Sequence, residues 1–77
     1  MFQLLDTVAL VHDIPASGLL AGDLGAVVEV HEDGAQEVEF VAASGRTEAL
    51  LSLQEADVRA LGDRDLISVR TLAAAHG

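Results

Sequence analysis

The sequence predicts an all-β domain of about five short strands, and three observations support this prediction. From Gly25 to Leu53 apolar and polar residues alternate with a period of two, which is typical of half-buried strands. Turn signals that contain glycine divide this stretch into short segments. The 77-residue chain is 51% hydrophobic and lacks cysteine, so a single small aliphatic core has to stabilise it.

The first predicted strand covers residues 7–13, TVALVHD. It ends before Pro15, because proline has no N–H for the β-ladder and favours extended geometry in the residue before it. A loop over residues 15–24, PASGLLAGDL, follows, and we expect Leu19 and Leu20 to lie beneath it. The residues predicted to make turns or, at the start of the second strand, a close backbone approach are Gly18, Gly22, Asp23, Gly25, Gly34 and Gly45.

The next three strands are predicted to form an antiparallel meander, joined by turns at residues 32–35 and 44–46. The predicted inward side chains are Ala26, Val28, Val30, Val38, Phe40, Ala42, Ala49, Leu51 and Leu53. The predicted outward side chains are Val27, Glu29, His31, Glu37, Glu39, Val41, Glu48, Leu50 and Ser52. We expect Phe40 to pair with Leu51, because this register keeps every inward position of both strands inward. Glu29 then lies opposite Glu39.

The meander is followed by a helical turn and a last short strand. Residues 54–57, QEAD, predict a single 3₁₀ turn, and residues 58–61, VRAL, predict the strand. The predicted order matches the layout of an SH3-like barrel: a strand, a long loop, a meander, a helical turn and a short strand. We therefore predict such a barrel over residues 1–61.

The remaining segment, residues 62–77, is predicted to be a separate C-terminal tail that packs on the barrel or on a partner. Asp63 or Asp65 is suited to cap a helix. Leu66, Val69 or Arg70, and Ala73 lie on one helical stripe, so we favour a helix. The stretch LISVRTL also fits an added strand, which leaves a helical or an extended tail open.

The charge of the chain argues against two classes of partner. Thirteen acidic residues stand against four arginines and no lysine, for a formal net charge of −9. Nucleic-acid binding needs cations that replace phosphate counterions, and RNA-binding barrels also use exposed aromatics. Anionic membranes repel the same charge. We therefore expect no nucleic-acid or membrane partner and, since the start of the chain does not resemble a signal peptide, a cytoplasmic location.

We find no set of residues that predicts catalysis. The histidines His12, His31 and His76 have no metal-ligand spacing. The sequence GDLG at residues 22–25 lacks the GK[ST] ending of a phosphate loop and opens a strand instead of a helix. We expect no enzymatic activity, no catalytic residue, no cofactor and no metal.

The outward face of the meander is the main candidate for a binding surface. Its acidic strip consists of Glu29, Glu37, Glu39 and Glu48, and the apolar residues within the strip are Val27, Val41 and Leu50. An apolar centre with a charged rim is typical of a protein-binding patch and suits a basic partner. A solvated face that prevents aggregation is the alternative for the glutamates, and coverage by the tail of the same chain is the alternative for the apolar centre.

Most of the chain resembles the bacterial family called domain of unknown function 4926. The resemblance covers about Leu4 to Leu61 and rests on an ordered set of motifs. These motifs are DTVAL followed by D-I-P, G-L-x-x-G-D-x-G-x-V-V-E-V, V-E-F, G-R-T and A-L-L-S-L. The resemblance implies a small SH3-like barrel in a bacterial cytosol, with no settled activity.

These observations predict a non-enzymatic protein–protein interaction module. It is expected to dock through the acidic sheet face, the loop at residues 15–24 or the C-terminal segment. In the sharper version it is antitoxin-like or immunity-like, since an acidic surface can cover a basic active site. An accessory or scaffold subunit that stabilises a bacterial enzyme complex is the alternative, and a symmetric homodimer through the tail also stays open.

Overall fold

The computed structural model describes residues 2–72, and five strands within them form one antiparallel sheet. The strands in chain order are β1 (Thr7–Leu10), β2 (Leu24–Val30), β3 (Gln36–Val41), β4 (Thr47–Leu53) and β5 (Val58–Ala60). Their order across the sheet is β4-β3-β2-β1-β5, so β1 lies between β2 and the last strand of the chain. This mainly β arrangement confirms the predicted small SH3-like barrel, and the described residues contain no α-helix.

The first strand is shorter than the prediction over residues 7–13. β1 ends at Leu10, which lies opposite Val58, the first residue of β5. Beyond this pair the Val11 N–H donates to the Asp57 carbonyl, at 3.0 Å, and the chain bends away from the sheet. The strand stops where its partner β5 begins, which the sequence of β1 alone does not reveal.

The loop between β1 and β2 folds back on the barrel around a 3₁₀ turn at Pro15–Ser17. Ile14 and Leu19 form an antiparallel bridge across this turn. Leu19 is buried as predicted, whereas Leu20 is 45% exposed, so the prediction that both leucines lie beneath the loop was wrong for Leu20. Four predicted turn glycines have positive φ angles, which glycine adopts without steric cost: Gly18, Gly22, Gly34 and Gly45.

The core is aliphatic apart from one aromatic ring, as the composition requires. Its buried members are Val8, Leu10, Leu19, Val27, Val38, Phe40, Leu53 and Val58. Full burial of a side chain of this size contributes roughly 1.5–3 kcal/mol, so these residues carry most of the stability of the barrel. The buried Gln36 is satisfied, because its side-chain amide donates to the Leu53 carbonyl at 3.1 Å.

In the first half of β2 the residues that face the core are shifted by one position from the prediction, which was therefore wrong there. Gly25 and Val27 face the core, whereas Val28 is 38% exposed. Ala26 pairs with Glu39 and lies on the outer face with it. A Cβ atom on Gly25 would lie only 2.6 Å from Val38 Cγ1, so the close approach predicted at this glycine occurs inside the core. A shift of one residue reverses the faces of a strand, and a glycine at the inward position carries no hydrophobic signal.

A β-bulge returns Glu29 to the predicted outer face in the second half of β2, but the inward prediction was wrong for Val30, which is 38% exposed at the end of the strand. The pairing with β3 shifts between Val27 and Glu29. After this shift Glu29 lies opposite Glu37 on the outer face, and Val30 pairs with the buried Gln36. The expected pairing of Glu29 with Glu39 is therefore wrong, because the irregularity places Glu29 one pair further along β3.

The predicted faces of β3 and β4 are confirmed, but their register was wrong by two residues. Phe40 pairs with Ala49 instead of Leu51, and Leu51 pairs with Val38. A shift of two residues leaves every side chain on its face, so hydrophobic alternation does not distinguish the two registers. The turn decides between them: the Ala42 N–H donates to the Arg46 carbonyl at 2.9 Å, which makes the hairpin tighter than predicted.

The last elements of the barrel confirm the prediction, but the tail does not. A 3₁₀ turn at Glu55–Asp57 precedes β5. Residues 62–72 contain neither helix nor strand, so the favoured helix is wrong for the described part of the tail. Instead of capping a helix, Asp65 accepts the Gly62 N–H at 2.6 Å and binds Arg59. The predicted helical position Ala73 lies outside the described residues. Within residues 2–72 no helix is long and apolar enough to cross a membrane.

Candidate docking face

The outer face of the β2–β3–β4 meander carries most of the residues predicted for partner binding. We call it the docking face and define it by Glu29, Glu37, Glu39, Val41, Thr47, Leu50 and Ser52. The strand pairing brings Glu29 opposite Glu37, and Leu50 opposite Glu39. Two predicted members are placed differently. Val27 is fully buried in the core. Glu48 is exposed and has no partner residue on β3, because the β3–β4 pairing shifts there.

Glu37 is held in place by side chains from two neighbouring segments. Its Oε2 accepts a hydrogen bond from His31 Nε2 at 3.0 Å, and it also accepts the Ser52 hydroxyl. These two bonds lower the pKa of Glu37, so that its charge is retained at acidic pH. The hydrogen bond that His31 donates to Glu37, followed by the nearby charge of Glu29, raises the pKa of His31 above 6.5. The acidic pair of Glu29 and Glu37 is thus partly compensated by a histidine.

Glu39 is positioned by a residue of β4. The Thr47 hydroxyl donates to Glu39 Oε2, which orients the carboxylate along the face. Leu50, directly opposite Glu39, is 57% exposed, and Val41 is 49% exposed. The face therefore consists of carboxylates in defined positions around exposed aliphatic side chains. Sequence reasoning identified the carboxylates but not the partners His31, Thr47 and Ser52, because these contacts depend on the register.

A second surface forms where the first loop meets the tail, the two alternative docking regions of the sequence prediction. Arg70 binds both carboxylate oxygens of Asp23, with Nε 2.8 Å from Oδ1, and its Nη2 donates to the Gly18 carbonyl at 3.1 Å. Asp23 also accepts the Leu20 N–H at 2.8 Å. The hydrogen bond from Arg70 lowers the pKa of Asp23. Sequence reasoning missed this anchor, although an arginine among so many acidic residues is a signal for ion pairing.

The tail is anchored a second time, near its start. Arg59 Nη1 lies 2.8 Å from Asp65 Oδ2, and Nη2 lies 3.1 Å from Oδ1. The hydrogen bond from Arg59, together with the Gly62 N–H, lowers the pKa of Asp65 to about 2. Between this anchor and Arg70, Leu66 is 92% exposed and Val69 is 96% exposed. Two ion pairs thus hold the described part of the tail on the barrel, while Leu66, Ile67 and Val69 face solvent.

An open groove of about 650 Å³ lies between the first loop, the β3–β4 turn and the tail. Its apolar lining includes Leu19, Phe40, Val41, Ala42, Val69 and Leu72. Val41 belongs to both the groove and the docking face. The charged residues of its lining are Asp23, Glu48 and Arg70, and Asp23 and Arg70 bind each other.

The histidines of the described chain form carboxylate pairs. His12 Nε2 lies 2.8 Å from Asp57 Oδ1, and this hydrogen bond raises the pKa of His12 and lowers the pKa of Asp57. Among residues 2–72 no group of three or more His, Cys, Asp or Glu side chains is arranged to hold a metal ion. His76 lies outside the described residues.

Comparison with known proteins identifies one relationship. The model of a family described as "Domain of unknown function (DUF4926)" matches residues 4–60. This range contains all five strands and ends before the tail. Neither curated proteins nor solved structures yield a significant match.

Proposed function

The chain belongs to the DUF4926 family, whose description leaves its activity open, and on this premise we propose that it is a non-enzymatic protein-interaction module. The docking face receives a basic surface of a partner protein. We propose that the protein acts in the bacterial cytoplasm and binds neither nucleic acids nor membranes. The observation that carries this proposal is the fixed position of the carboxylates of Glu37 and Glu39 around the exposed Leu50.

Positioned carboxylates favour recognition over a merely solvated surface. A solubilising glutamate gains nothing from a hydrogen-bonding partner, whereas a docking carboxylate that is already oriented loses less conformational freedom when it binds. Glu29 opposite Glu37 is unfavourable for the free sheet, because like charges in cross-strand pairs destabilise it. A cationic partner removes this repulsion. The net charge of −9 also accelerates encounter with a basic protein at low salt.

The test is affinity capture from a lysate of the source organism with the wild-type chain and two double variants. Glu29→Lys/Glu39→Lys reverses the charge of the docking face. Glu32→Lys/Asp63→Lys makes the same change in net charge at exposed positions outside the face. We expect one stoichiometric partner that binds the wild type and the control variant but is lost from the face variant. All three proteins are first compared by circular dichroism and thermal unfolding.

Two results contradict the proposal. If both double variants lose the partner equally, the net charge and not the docking face is responsible. If both retain it, docking lies on the groove or the tail. A captured enzyme that loses activity on binding supports the antitoxin-like or immunity-like role. One that requires the chain for its stability supports the accessory subunit.

A further inference from the structure

The free edge of β4 offers backbone groups beside the docking face. β4 is the last strand in the sheet order, and within residues 2–72 it pairs only with β3. It is seven residues long, whereas β5, at the opposite end of the order, has three residues. An edge strand of this length presents a row of unpaired N–H and C=O groups, which can bind an additional strand.

The hydrogen bonds of β2 determine which groups of β4 are free. The Val27 N–H donates to the Asp6 carbonyl at 2.9 Å, and the Val27 carbonyl accepts the Leu5 N–H at 2.6 Å. Both main-chain groups of Val27 therefore point away from β3. In antiparallel sheets the hydrogen-bonded and non-hydrogen-bonded pairs alternate, so the pair of Val27 and Val38 is non-hydrogen-bonded. The main chain of Val38 consequently points toward β4.

The same alternation continues across β3. Val38 exchanges its backbone bonds with Leu51, so the neighbouring residues Leu50 and Ser52 direct their N–H and C=O groups to the free edge. Their side chains lie on the docking face, opposite Glu39 and Glu37. The residues with free backbone groups are thus the ones whose side chains lie beside the positioned carboxylates.

The charge of this region indicates the kind of strand that fits. An added strand lies about 4.8 Å from β4, and a lysine or arginine side chain is long enough to cross β4 and reach the carboxylates of β3. The exposed Leu50 accommodates the aliphatic part of such a side chain. A second copy of this chain fits less well, because each copy carries a net charge of −9.

We propose that the free edge of β4 binds an extended basic segment of the partner as an antiparallel sixth strand. This inference rests on the proposed function and specifies its mode of docking. Residues of the segment opposite Leu50 and Ser52 are cationic and form backbone hydrogen bonds with β4. Their side chains extend over the docking face toward Glu37 and Glu39. The intervening residues of the segment direct their N–H groups away from β4.

The probe is a labelled eight-residue peptide of alternating arginine and valine, titrated against the full chain by fluorescence anisotropy. The matched peptide of alternating glutamate and valine controls for charge. Two further peptides carry N-methyl groups on all arginines or on all valines. We expect arginine methylation to weaken binding at least tenfold and valine methylation to change it less than about twofold, because only the arginine amides face β4.

Two variants of the protein, both substituted at residue 52, test the same inference. Ser52→Pro removes a donor from the free edge, and proline is tolerated on an edge strand when its nitrogen faces solvent. Ser52→Ala retains the donor and controls for loss of the hydroxyl contact with Glu37. We expect the proline variant to bind the arginine–valine peptide about tenfold more weakly than the alanine variant. Hydrogen exchange of the wild type tests the same point without substitution, since the Leu50 and Ser52 amides gain protection only when the peptide is bound.

The outcomes separate this inference from the proposed function. No binding of the arginine–valine peptide, or equal binding of the two methylated peptides, overturns the edge-strand inference. If Glu29→Lys/Glu39→Lys loses the captured partner but Ser52→Pro does not, the docking face stands and the edge is wrong. If light scattering shows a dimer of the wild type that Ser52→Pro dissociates, a second copy occupies the edge and the basic segment is rejected.

Discussion

The barrel and the tail of this protein are stabilised by different interactions. The barrel carries the entire net charge, since eleven of the acidic residues and two of the arginines precede Gly62, and it is held by an aliphatic core. The tail is electrically balanced by two acidic residues and two arginines, and it is held at Asp65 and Arg70. Leu66, Ile67 and Val69 of the tail are exposed, whereas the barrel contains a buried apolar cluster.

Because of this difference, we expect the core to determine the cooperative stability of the barrel and the ion pairs to determine only the attachment of the tail to it. Removing apolar contacts from the barrel weakens every strand at once, because the core cluster draws on β1 to β5 and on the first loop. Removing an anchor from the tail should release a segment whose described residues, 62–72, make no strand of the sheet. Matched substitutions in the two regions therefore test whether they are energetically independent.

The largest expected contrast comes from leucine truncations. Leu10→Ala should lower the free energy of unfolding by about 2–5 kcal/mol, because the side chain is 2% exposed and leaves a cavity. Leu66→Ala, at a side chain that is 92% exposed, should change it by less than about 0.5 kcal/mol. Urea denaturation of both variants provides the comparison. A large loss from Leu66→Ala would show that the tail is part of the cooperative unit.

A smaller contrast is expected from glycine substitutions. Gly25→Ala should cost about 1–3 kcal/mol, because the new methyl group would lie 2.6 Å from Val38 Cγ1 and 3.1 Å from the Glu39 carbonyl oxygen. Gly62→Ala should be nearly neutral, since its nearest neighbour, Asp65 Oδ2, would be 3.5 Å away. Thermal unfolding of both variants checks this. Equal melting temperatures would contradict the close packing of β2 against β3.

The anchors of the tail should matter more for its attachment than for stability. Arg70→Gln removes the pair with Asp23 and should lower the free energy of unfolding by less than about 1 kcal/mol, because exposed ion pairs contribute little. The NMR order parameters of the backbone of residues 66–72 should nevertheless fall. Arg64→Gln removes the same charge outside both anchors and serves as the control. Identical order parameters in the two variants would mean that Arg70 does not hold the tail.

The smallest expected effect is a difference in pH response. Hydrogen bonds to Asp57 and Glu37 raise the pKa values of His12 and His31 above 6.5, so the folded barrel binds these protons more tightly than the unfolded chain. The stabilisation of the fold by these two protonated histidines is complete below pH 6.5. It is lost as pH rises through the raised pKa values of the folded state. The Asp65 pair in the tail, with a pKa of about 2, loses its contribution only in strong acid.

Melting temperatures between pH 6 and 8 test this difference. The wild type should become slightly less stable as pH rises, and the double variant His12→Gln/His31→Gln should show a flatter profile. The NMR order parameters of the backbone of residues 66–72 should stay constant over the same range. An unchanged slope in the double variant would assign the pH dependence to other groups.

Period-two alternation was sufficient to predict β3 and β4, because both strands keep one face in the core. It failed in β2, where the inward position Gly25 has no side chain and a bulge changes the phase before Glu29. It also did not determine the register of Phe40, since a shift of two residues preserves the faces. That register depends on turn geometry, which the sequence SGR does not specify by itself.

The acidic docking face could be predicted as a set of outward glutamates, but its organisation could not. The bonds from His31 to Glu37 and from Thr47 to Glu39 follow from the true register. The tail was the least predictable region, because LISVRTL fits a helical stripe, which we favoured, and also an extended strand. Its attachment depends on Arg70 reaching Asp23, 47 residues earlier in the chain, and local patterns contain no information about such a contact.

The position of β1 between β2 and β5 has a consequence for synthesis of the protein. The meander joins strands that follow one another in the chain, so it can assemble soon after its residues emerge from the ribosome. β1 leaves the ribosome first, yet its second edge stays open until Val58–Ala60 arrives, and this long-range pairing carries the largest loop-closure cost. A nascent chain that ends before Val58 leaves one edge of β1 unpaired, and translation of the last strand completes the five-stranded sheet.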